Sequence, residues 1–381
     1  MMQIAMLNLS GEYQRLKSEI DEAVQAVMAR GSYIMGPEIK TFEDNLAQFL
    51  GVKNAVSVAS GSDALLISLH ALGIGPGDKV ILPTFTFFAT AGSVVRLGAV
   101  PVFVDIDAAT YNLDLDQVER LLQTNPDIRA IIPVHLFGLP CNMDRLMSLA
   151  DQYGIYVIED ACQAINADAK YMGQTKKAGT IGHTGCFSFF PTKNLGGYGD
   201  GGMIVTDNDE LAEEMRVLRV HGSKPKYYHQ VVGYNSRLDT LQAAILNVKL
   251  KYLNEWTAKR REVAVSYNQE FQACGIDQLL VCPPVTEGHV FHQYVIRVNN
   301  RDQLVNYLKE KGIGTSVYYP LPLHLQECFT DLQYKAEDMP AAEETCHQVL
   351  ALPIDPELTY EQIKYIAATI KEFIKGELDN D

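Results

Sequence analysis

Asn142-Met-Asp-Arg-Leu-Met-Ser-Leu-Ala-Asp-Gln-Tyr-Gly154-Ile-Tyr-Val-Ile-Glu-Asp160-Ala-Cys-Gln163 holds the unit from which the chain is built. Residues 142–153 read as a helix closed by Gly154, because glycine takes the left-handed C-cap without steric cost. Residues 155–160 then read as a strand, β-branched and not alternating, the pattern of a strand buried on both faces. It ends in two carboxylates, and the C-terminal ends of strands in open α/β sheets are where ligands sit.

The same alternation runs outward from this unit. Strands are expected at 55–59, 79–82, 101–105, 130–134, 155–160, 185–190 and 203–206. A helix at 38–50 places Ile39, Phe42, Leu46 and Phe49 on one face, behind Pro37 at a first helical position. Another, at 114–122, opens on Asp114 with Gln117 at capping-box spacing. Alternation of this kind argues for an α/β fold, a mainly parallel central sheet flanked by helices. Residues 236–273 read as helical with almost no breaker, as one long helix or a pair. They bridge to a C-terminal α+β region with strands at 290–298 and 315–319 and helices at 302–311, 339–350 and 360–375. The reading sets a large domain at 1–250, N-terminal segment included, and a smaller one at 251–381.

Composition narrows the function classes. A formal charge of −15 repels phosphate backbones, which argues against nucleic-acid binding, while a single phosphorylated small molecule can still be held by local amides. No apolar run reaches the roughly 20 residues that cross a bilayer, so no membrane role is expected. The N-terminal residues carry no signal-peptide pattern. Seven dispersed cysteines without a CxxC pair suit free thiols in a cytoplasmic protein, with no metal site expected.

Four segments carry chemistry. Asp160, at the end of its strand, is placed to pair with a pyridinium nitrogen, or simply to cap the next turn. Gly185-Cys-Phe-Ser188-Phe-Phe-Pro-Thr-Lys193-Asn-Leu-Gly-Gly-Tyr-Gly-Asp-Gly-Gly202 sets a lysine between an apolar strand and five glycines. Apolar surroundings lower a lysine's pKa and make its amine nucleophilic, as Schiff-base chemistry requires. The bland alternative, a surface lysine in a flexible loop, leaves Phe187, Phe189 and Phe190 unexplained. Ala55-Val-Ser-Val-Ala-Ser60-Gly61-Ser62-Asp63 reads as strand, turn and helix start, so the free N–H groups of Gly61, Ser62 and Asp63 can face an anion. It is neither a Walker loop nor GxGxxG. Pro83-Thr-Phe-Thr-Phe87-Phe88-Ala-Thr90 brings aromatics to another such joint, for stacking or for core packing.

Taken in order, these segments resemble the DegT/StrS nucleotide-sugar aminotransferases, within the fold-type I enzymes that depend on pyridoxal 5′-phosphate (PLP). The likeness runs from Gly36-Pro37-Glu38 to Leu352-Pro353. It is carried by Ser60-Gly-Ser-Asp-Ala-Leu65, Pro83–Phe87, Glu159-Asp-Ala-Cys-Gln163, Ser188-Phe-Phe-Pro-Thr-Lys-Asn194, Asn235-Ser-Arg-Leu-Asp-Thr-Leu-Gln-Ala-Ala244 and Tyr319-Pro-Leu-Pro-Leu-His-Leu-Gln326. One such motif is common, whereas six in sequence are specific.

The resemblance implies roles. Lys193 is the Schiff-base lysine, Asp160 pairs with the pyridine nitrogen, and Gln163 reaches the ring hydroxyl. Ser188, with Gly61 and the amides of Ser62 and Asp63, holds the phosphate, while Phe87 stacks on the ring. Asn235 reaches the cofactor phosphate of a neighbouring subunit, which makes a homodimer part of the site. Tyr33, Tyr318, Tyr319 and His324 are candidates near the sugar. Arg237 and Lys226 are candidates for the donor's carboxylates, and His135 for a place behind the cofactor.

By family habit the donor is L-glutamate and the acceptor a TDP- or UDP-linked keto sugar. The His324-Leu-Gln326 segment favours amination at C3 over C4. A C4 aminotransferase, a sugar dehydratase of the same fold and a non-catalytic regulator remain alternatives. Relatives that became dehydratases replace the lysine by histidine, and here it is Lys193. The amino sugar would serve surface polysaccharide (lipopolysaccharide, O-antigen) or natural-product glycosylation.

Overall fold

A computed structural model describes residues 2–378. All seven strands expected before residue 207 form, and they make one sheet: β1 (Asn54–Val58), β2 (Lys79–Pro83), β3 (Val100–Val104), β4 (Ile128–Ile131), β5 (Tyr156–Asp160), β8 (Thr184–Ser188) and β9 (Gly202–Thr206). Their order is β1-β9-β8-β5-β4-β2-β3. From β8 to β3 every pair is parallel, while β9 runs antiparallel to both its neighbours. Parallel strands need a crossover, usually a helix, whereas antiparallel neighbours can be joined by a loop. The β8–β9 connection is such a loop, and it carries Lys193.

One small element was not expected. The hairpin β6 (Asp168–Tyr171) and β7 (Gln174–Lys177) turns at Met172 and Gly173, both at positive φ (50° and 74°). A two-residue turn of that kind matches the strands' twist. Its strands are largely exposed and polar, so apolar periodicity gives no sign of them.

Several helix signals hold in detail. Pro37 opens Pro37–Leu50, and Gly154 closes Met143–Tyr153 in the left-handed region. Asp114 caps Leu115–Thr124 by accepting from the N–H groups of Asp116 and Gln117. The reciprocal half of a capping box is absent, because Gln117 Oε1 instead accepts from Asp105 N–H at 2.5 Å. Residues 236–273 form a pair, Thr240–Leu250 and Leu253–Cys274. At the break, Lys251 and the Tyr252 hydroxyl both bond Glu19, on the long N-terminal helix Leu9–Arg30.

The C-terminal region corrects two expectations. Its sheet pairs β10 (Tyr294–Arg297) with β11 (Val349–Leu352), where 339–350 had read as wholly helical; that helix ends at Gln348. Residues 315–319 make only an isolated bridge, Ser316 to Ala351, and then meet Pro320 and Pro322, which have no N–H to extend a ladder. Helices Leu253–Cys274 and Tyr360–Leu378 pack over this sheet around Tyr267, Phe271, Tyr294, Ile366 and Ile370. Ile4 joins the same core and bridges Ile313, while Leu16 and Ile20 of the N-terminal helix pack on Ile245 and Val248.

Among the described residues no helix is long and apolar enough to cross a membrane.

At the end of β5 the strand's alternation sends Glu159 and Asp160 to opposite faces. Glu159 is fully buried and accepts from the N–H groups of Gly179 (2.8 Å), Ile181 (2.6 Å) and Gly182 (2.6 Å) and from His135 Nε2 (2.8 Å). Burial alone would raise its pKa. The bonds from His135, Gly182 and Gly179 outweigh that and hold it below the usual 4.5. A depressed carboxylate contributes stability above its unfolded pKa and loses that contribution as pH falls through the folded value. Glu159→Gln, which turns an amide donor on backbone donors, is expected to cost about 3 kcal/mol at pH 7. Urea melts at pH 7 and pH 4 should show the gap from wild type narrowing at the lower pH.

Candidate active site

A cavity of about 690 Å³ opens at the C-terminal ends of the parallel strands. Four joints line it, all leaving the sheet in the same direction: Ser60–Ser62 after β1, Thr86–Ala89 after β2, Asp160–Gln163 after β5, and Ser188 with Lys193 after β8. His292, Gln293, Tyr318 and Tyr319 close it from the C-terminal region.

The first joint forms an anion cradle. Ser60 caps the helix Gly61–Ala71, and its Oγ accepts from Asp63 N–H at 3.1 Å. The Asp63 amide is therefore taken, and its carboxylate is turned away to accept from Ser236 Oγ at 2.8 Å. The amides of Gly61 and Ser62 are the open ones, at the positive end of a helix. A Cβ on Gly61 would stand 2.7 Å from Ser188 Cβ and 2.9 Å from Cys162 Sγ, so only glycine fits. Ser188 Oγ accepts from Phe190 N–H at 3.3 Å, which leaves its own proton to donate.

The second end suits a flat ring with a basic nitrogen. Asp160 is fixed through both oxygens, accepting from Thr90 Oγ1 at 2.9 Å and from Cys162 N–H at 3.2 Å. Thr86 Oγ1 in turn lies 3.1 Å from Thr90 Oγ1. Gln163 Oε1 accepts from Phe137 N–H at 2.7 Å, which sets the amide's orientation and points Nε2 at the Tyr319 hydroxyl, 3.2 Å away. Phe87 is 57% exposed although it lines the cavity, a costly position for a ring unless something flat covers it.

Lys193 Nζ has no hydrogen-bond or ion-pair partner among the described residues. Burial lowers its pKa, while Cys162 and Asp160 pull weakly the other way. The backbone around it is tied down: Lys193 N–H donates to Phe190 O, and Phe189 N–H donates to Gly201 O, both at 2.8 Å. Buried Lys249 holds Gly196 O from below. Burial pushes the Cys162 thiol well up, as suits a packed thiol rather than a nucleophile.

Other expected residues lie elsewhere. His324 is buried beneath the wall of the cavity, its Nδ1 2.7 Å from Thr84 Oγ1 and its Nε2 3.2 Å from Glu343, so it fastens the Tyr319–Gln326 segment to the end of β2. Tyr33 and Asn235 are exposed and outside the lining. His135 lies behind the site: its Nδ1 accepts from Cys141 N–H at 3.1 Å, so Nε2 carries the proton toward Glu159. Sequence reasoning missed His292, Gln293, Thr86 and Asp200 in the lining. His289-Val-Phe-His292-Gln293 ahead of a strand was the one visible signal for the first two.

A doubly wound sheet with an unpaired, desolvated lysine, a fixed carboxylate and a helix-start anion cradle in one cavity defines a Schiff-base enzyme of the PLP type. The chain belongs to the DegT/DnrJ/EryC1/StrS aminotransferase family, which matches it over residues 14–371. It is 50% identical to a "Pleiotropic regulatory protein" of Geobacillus stearothermophilus over 98% of this chain and 99% of that one. It is 43% identical to the UDP-N-acetyl-3-dehydro-alpha-D-glucosamine 3-aminotransferase of Acidithiobacillus ferrooxidans, over 98% of each. The solved DesV structure from S. venezuelae superposes with a TM-score of 0.92 at 39% identity, covering 98% of this chain and 99% of that one.

The protein is thus a PLP-dependent aminotransferase, and the residues present fit that cofactor: open amides and a hydroxyl for a phosphate, a carboxylate for a ring nitrogen, an amine for an aldehyde. Gly61→Val is expected to weaken PLP binding roughly tenfold or more while the fold persists, because the new side chain enters the cradle. Fluorescence titration of cofactor-free protein with PLP checks this.

Proposed function

We propose that the protein transfers the amino group of L-glutamate to the C3 keto carbon of a nucleotide-linked sugar, in the cytoplasm, as a homodimer. The single observation that carries amino transfer is Lys193: desolvated, unpartnered, and set in the cavity with Asp160 and the Gly61–Ser62 cradle. The C3 position rests on the relative named as a 3-aminotransferase.

PLP supplies an aldehyde that carries the amino group and a ring that accepts electrons. The protein's own residues do the rest. Lys193 would hold the cofactor through its aldehyde and be displaced by the donor's amine. The freed Lys193 amine, its pKa lowered by burial, would take the proton from the donor's α-carbon and deliver it to the carbon on the far side of the amino nitrogen. Asp160, locked by Thr90 and the Cys162 amide, keeps the ring nitrogen protonated. Gln163 Nε2 and the Tyr319 hydroxyl hold the ring's oxygen, Phe87 covers its face, and Gly61, Ser62 and Ser188 hold its phosphate. With the keto sugar, Lys193 would again act first as base, on the cofactor-side carbon, and then as acid, delivering the proton to the sugar carbon that receives the nitrogen.

Charge argues for the second copy. A cofactor phosphate, the two carboxylates of glutamate and a nucleotide diphosphate must all be met, yet Lys193 is the sole lysine or arginine among the described residues lining the cavity, beside Asp160 and Asp200. The segment leading to Asn235 stands off the molecule with Tyr227, Tyr228 and Val232 exposed, and Arg237 beside it forms no ion pair among the described residues. In the proposal this segment of a second copy brings Asn235 to the cofactor phosphate and Arg237 to a substrate anion. Tyr318 and Tyr33 are the proposed sugar contacts. The large and small domains meet near residue 250, and the amino sugar goes on to surface polysaccharide or natural-product glycosylation.

The 50% identical relative named as a regulator favours a second reading, a non-catalytic regulatory role. Lys193, Asp160 and Gln163 would have no use in it. Incubation with PLP, glutamate and a panel of 3-keto and 4-keto TDP- and UDP-sugars, read by NMR, is expected to give a C3-amino sugar and 2-oxoglutarate. C4 amination would move the substrate assignment. Failure to bind PLP would revive the regulator. Lys193→Ala is expected to lower turnover by roughly four orders of magnitude while PLP still binds, with loss of the visible absorbance of the lysine-bound cofactor.

A further inference from the structure

His292 enters the cavity from the C-terminal region, and its surroundings fix both its charge and its tautomer. It is 6% exposed. Its Nδ1 lies 3.2 Å from Asn194 Oδ1, and Asn194 Nδ2 donates to Val290 O at 3.3 Å. An amide whose nitrogen faces a carbonyl must present its oxygen to the ring, so Nδ1 carries the proton and Nε2 keeps a lone pair. Burial drives the ring's pKa far below its usual value, and the charges of Lys193 and Arg260 add to this. Nε2 has no partner among the described residues and is not among the side-chain atoms sealed from solvent without one. In a ring this deeply buried that lines the cavity, Nε2 faces the cavity.

The backbone holds this arrangement from both sides. His292 N–H donates to Phe137 O at 2.9 Å, and Arg260 Nη1 donates to His292 O at 3.4 Å. Asn194, which fixes the tautomer, is the residue after Lys193.

We propose that His292 is a positioning residue for the catalytic lysine, its Nε2 accepting a hydrogen bond from the Lys193 amine once that amine is released from the cofactor. This rests on the aminotransferase reading and adds to it. A released amine on a flexible stem must keep its lone pair aimed at the donor's α-carbon, and one fixed acceptor for an N–H removes most of its rotational freedom. A neutral imidazole suits the task better than a carboxylate, which would stabilise the ammonium and spoil the base. The ionisable groups around Lys193 are Asp160 and Cys162 from the end of β5 and His292 from the opposite wall, with Arg260 behind His292.

Stopped-flow absorbance of the holoenzyme mixed with L-glutamate reads the first half of the reaction. His292→Phe, which keeps a ring without an acceptor, is expected to slow it about tenfold with little change in the glutamate concentration needed. His292→Gln, which retains an acceptor oxygen, is expected to recover most of the rate. Competitive acetylation of Lys193 in cofactor-free protein, read by mass spectrometry across pH, reports the amine directly. There His292→Phe should lower the pH at which Lys193 becomes reactive, since an ammonium loses more than an amine when an acceptor goes. A histidine that only fills space would leave that profile unmoved. Should His292→Phe not fold, Asn194→Ala replaces it, with the same slowing expected because the tautomer is released. If wild type reacts with glutamate and the variants match it in rate and in Lys193 ionisation, the inference is overturned. If wild type itself does not react with glutamate, the aminotransferase reading fails instead.

Discussion

The buried carboxylate of Glu159 is the constraint on which the rest depends. A charge with no solvent is tolerated only when every lone pair is met, and here three backbone N–H groups and one imidazole meet them. Those donors come from the turn after β4 and from the loop that feeds β8. One side chain therefore ties the exits of β4 and β5 to the entry of β8. Because side chains alternate along a strand, the same lock turns its neighbour Asp160 toward the cavity. The carboxylate that lines the cavity is placed by the one sealed behind it.

A second node joins the two halves of the site. Phe137 sits at φ 56°, uncommon for a residue with a Cβ, and both its polar backbone groups are engaged. Its N–H orients Gln163 after β5, and its carbonyl accepts from His292 of the C-terminal region. Gly138 next to it takes φ 97°, and a Cβ there would stand 2.7 Å from Val290 Cγ2. Gln163 and His292, on opposite sides of the cavity lining, are thus held by one turn.

Electrostatics explains why such a site can sit in a strongly acidic protein. The groups that would meet anions are helix-end amides and hydroxyls, which add no net charge and act only at short range. Among the described residues the one lysine or arginine in the lining is Lys193, whose pKa burial lowers, as suits a group that must serve as a base.

The sequence by itself determined the sheet, the helix caps, and the strand ends that open on the cavity. Each depends on a local signal: apolar runs for two-sided strands, Gly154 and Asp114 at helix ends, Ser60-Gly61-Ser62 at a strand–helix joint. Lys193 was legible in the same way, as an apolar strand running into glycines. Tertiary structure alone decided what long-range neighbours make of similar letters. Glu159 and Asp160 are adjacent carboxylates in the sequence, and only the tertiary neighbours of each show one sealed in the core and the other lining the cavity. The Asp63 amide looked free until Ser60 was seen to occupy it. His324 read as a sugar contact, but Thr84 and Glu343, distant in sequence, bury it as a fastener. His292, unremarked in the sequence, faces the cavity because Asn194, Phe137 and Arg260 converge on it from three separate elements. Local periodicity and capping are written within a few residues, whereas the charge, tautomer and direction of a buried side chain are set by whatever packs against it.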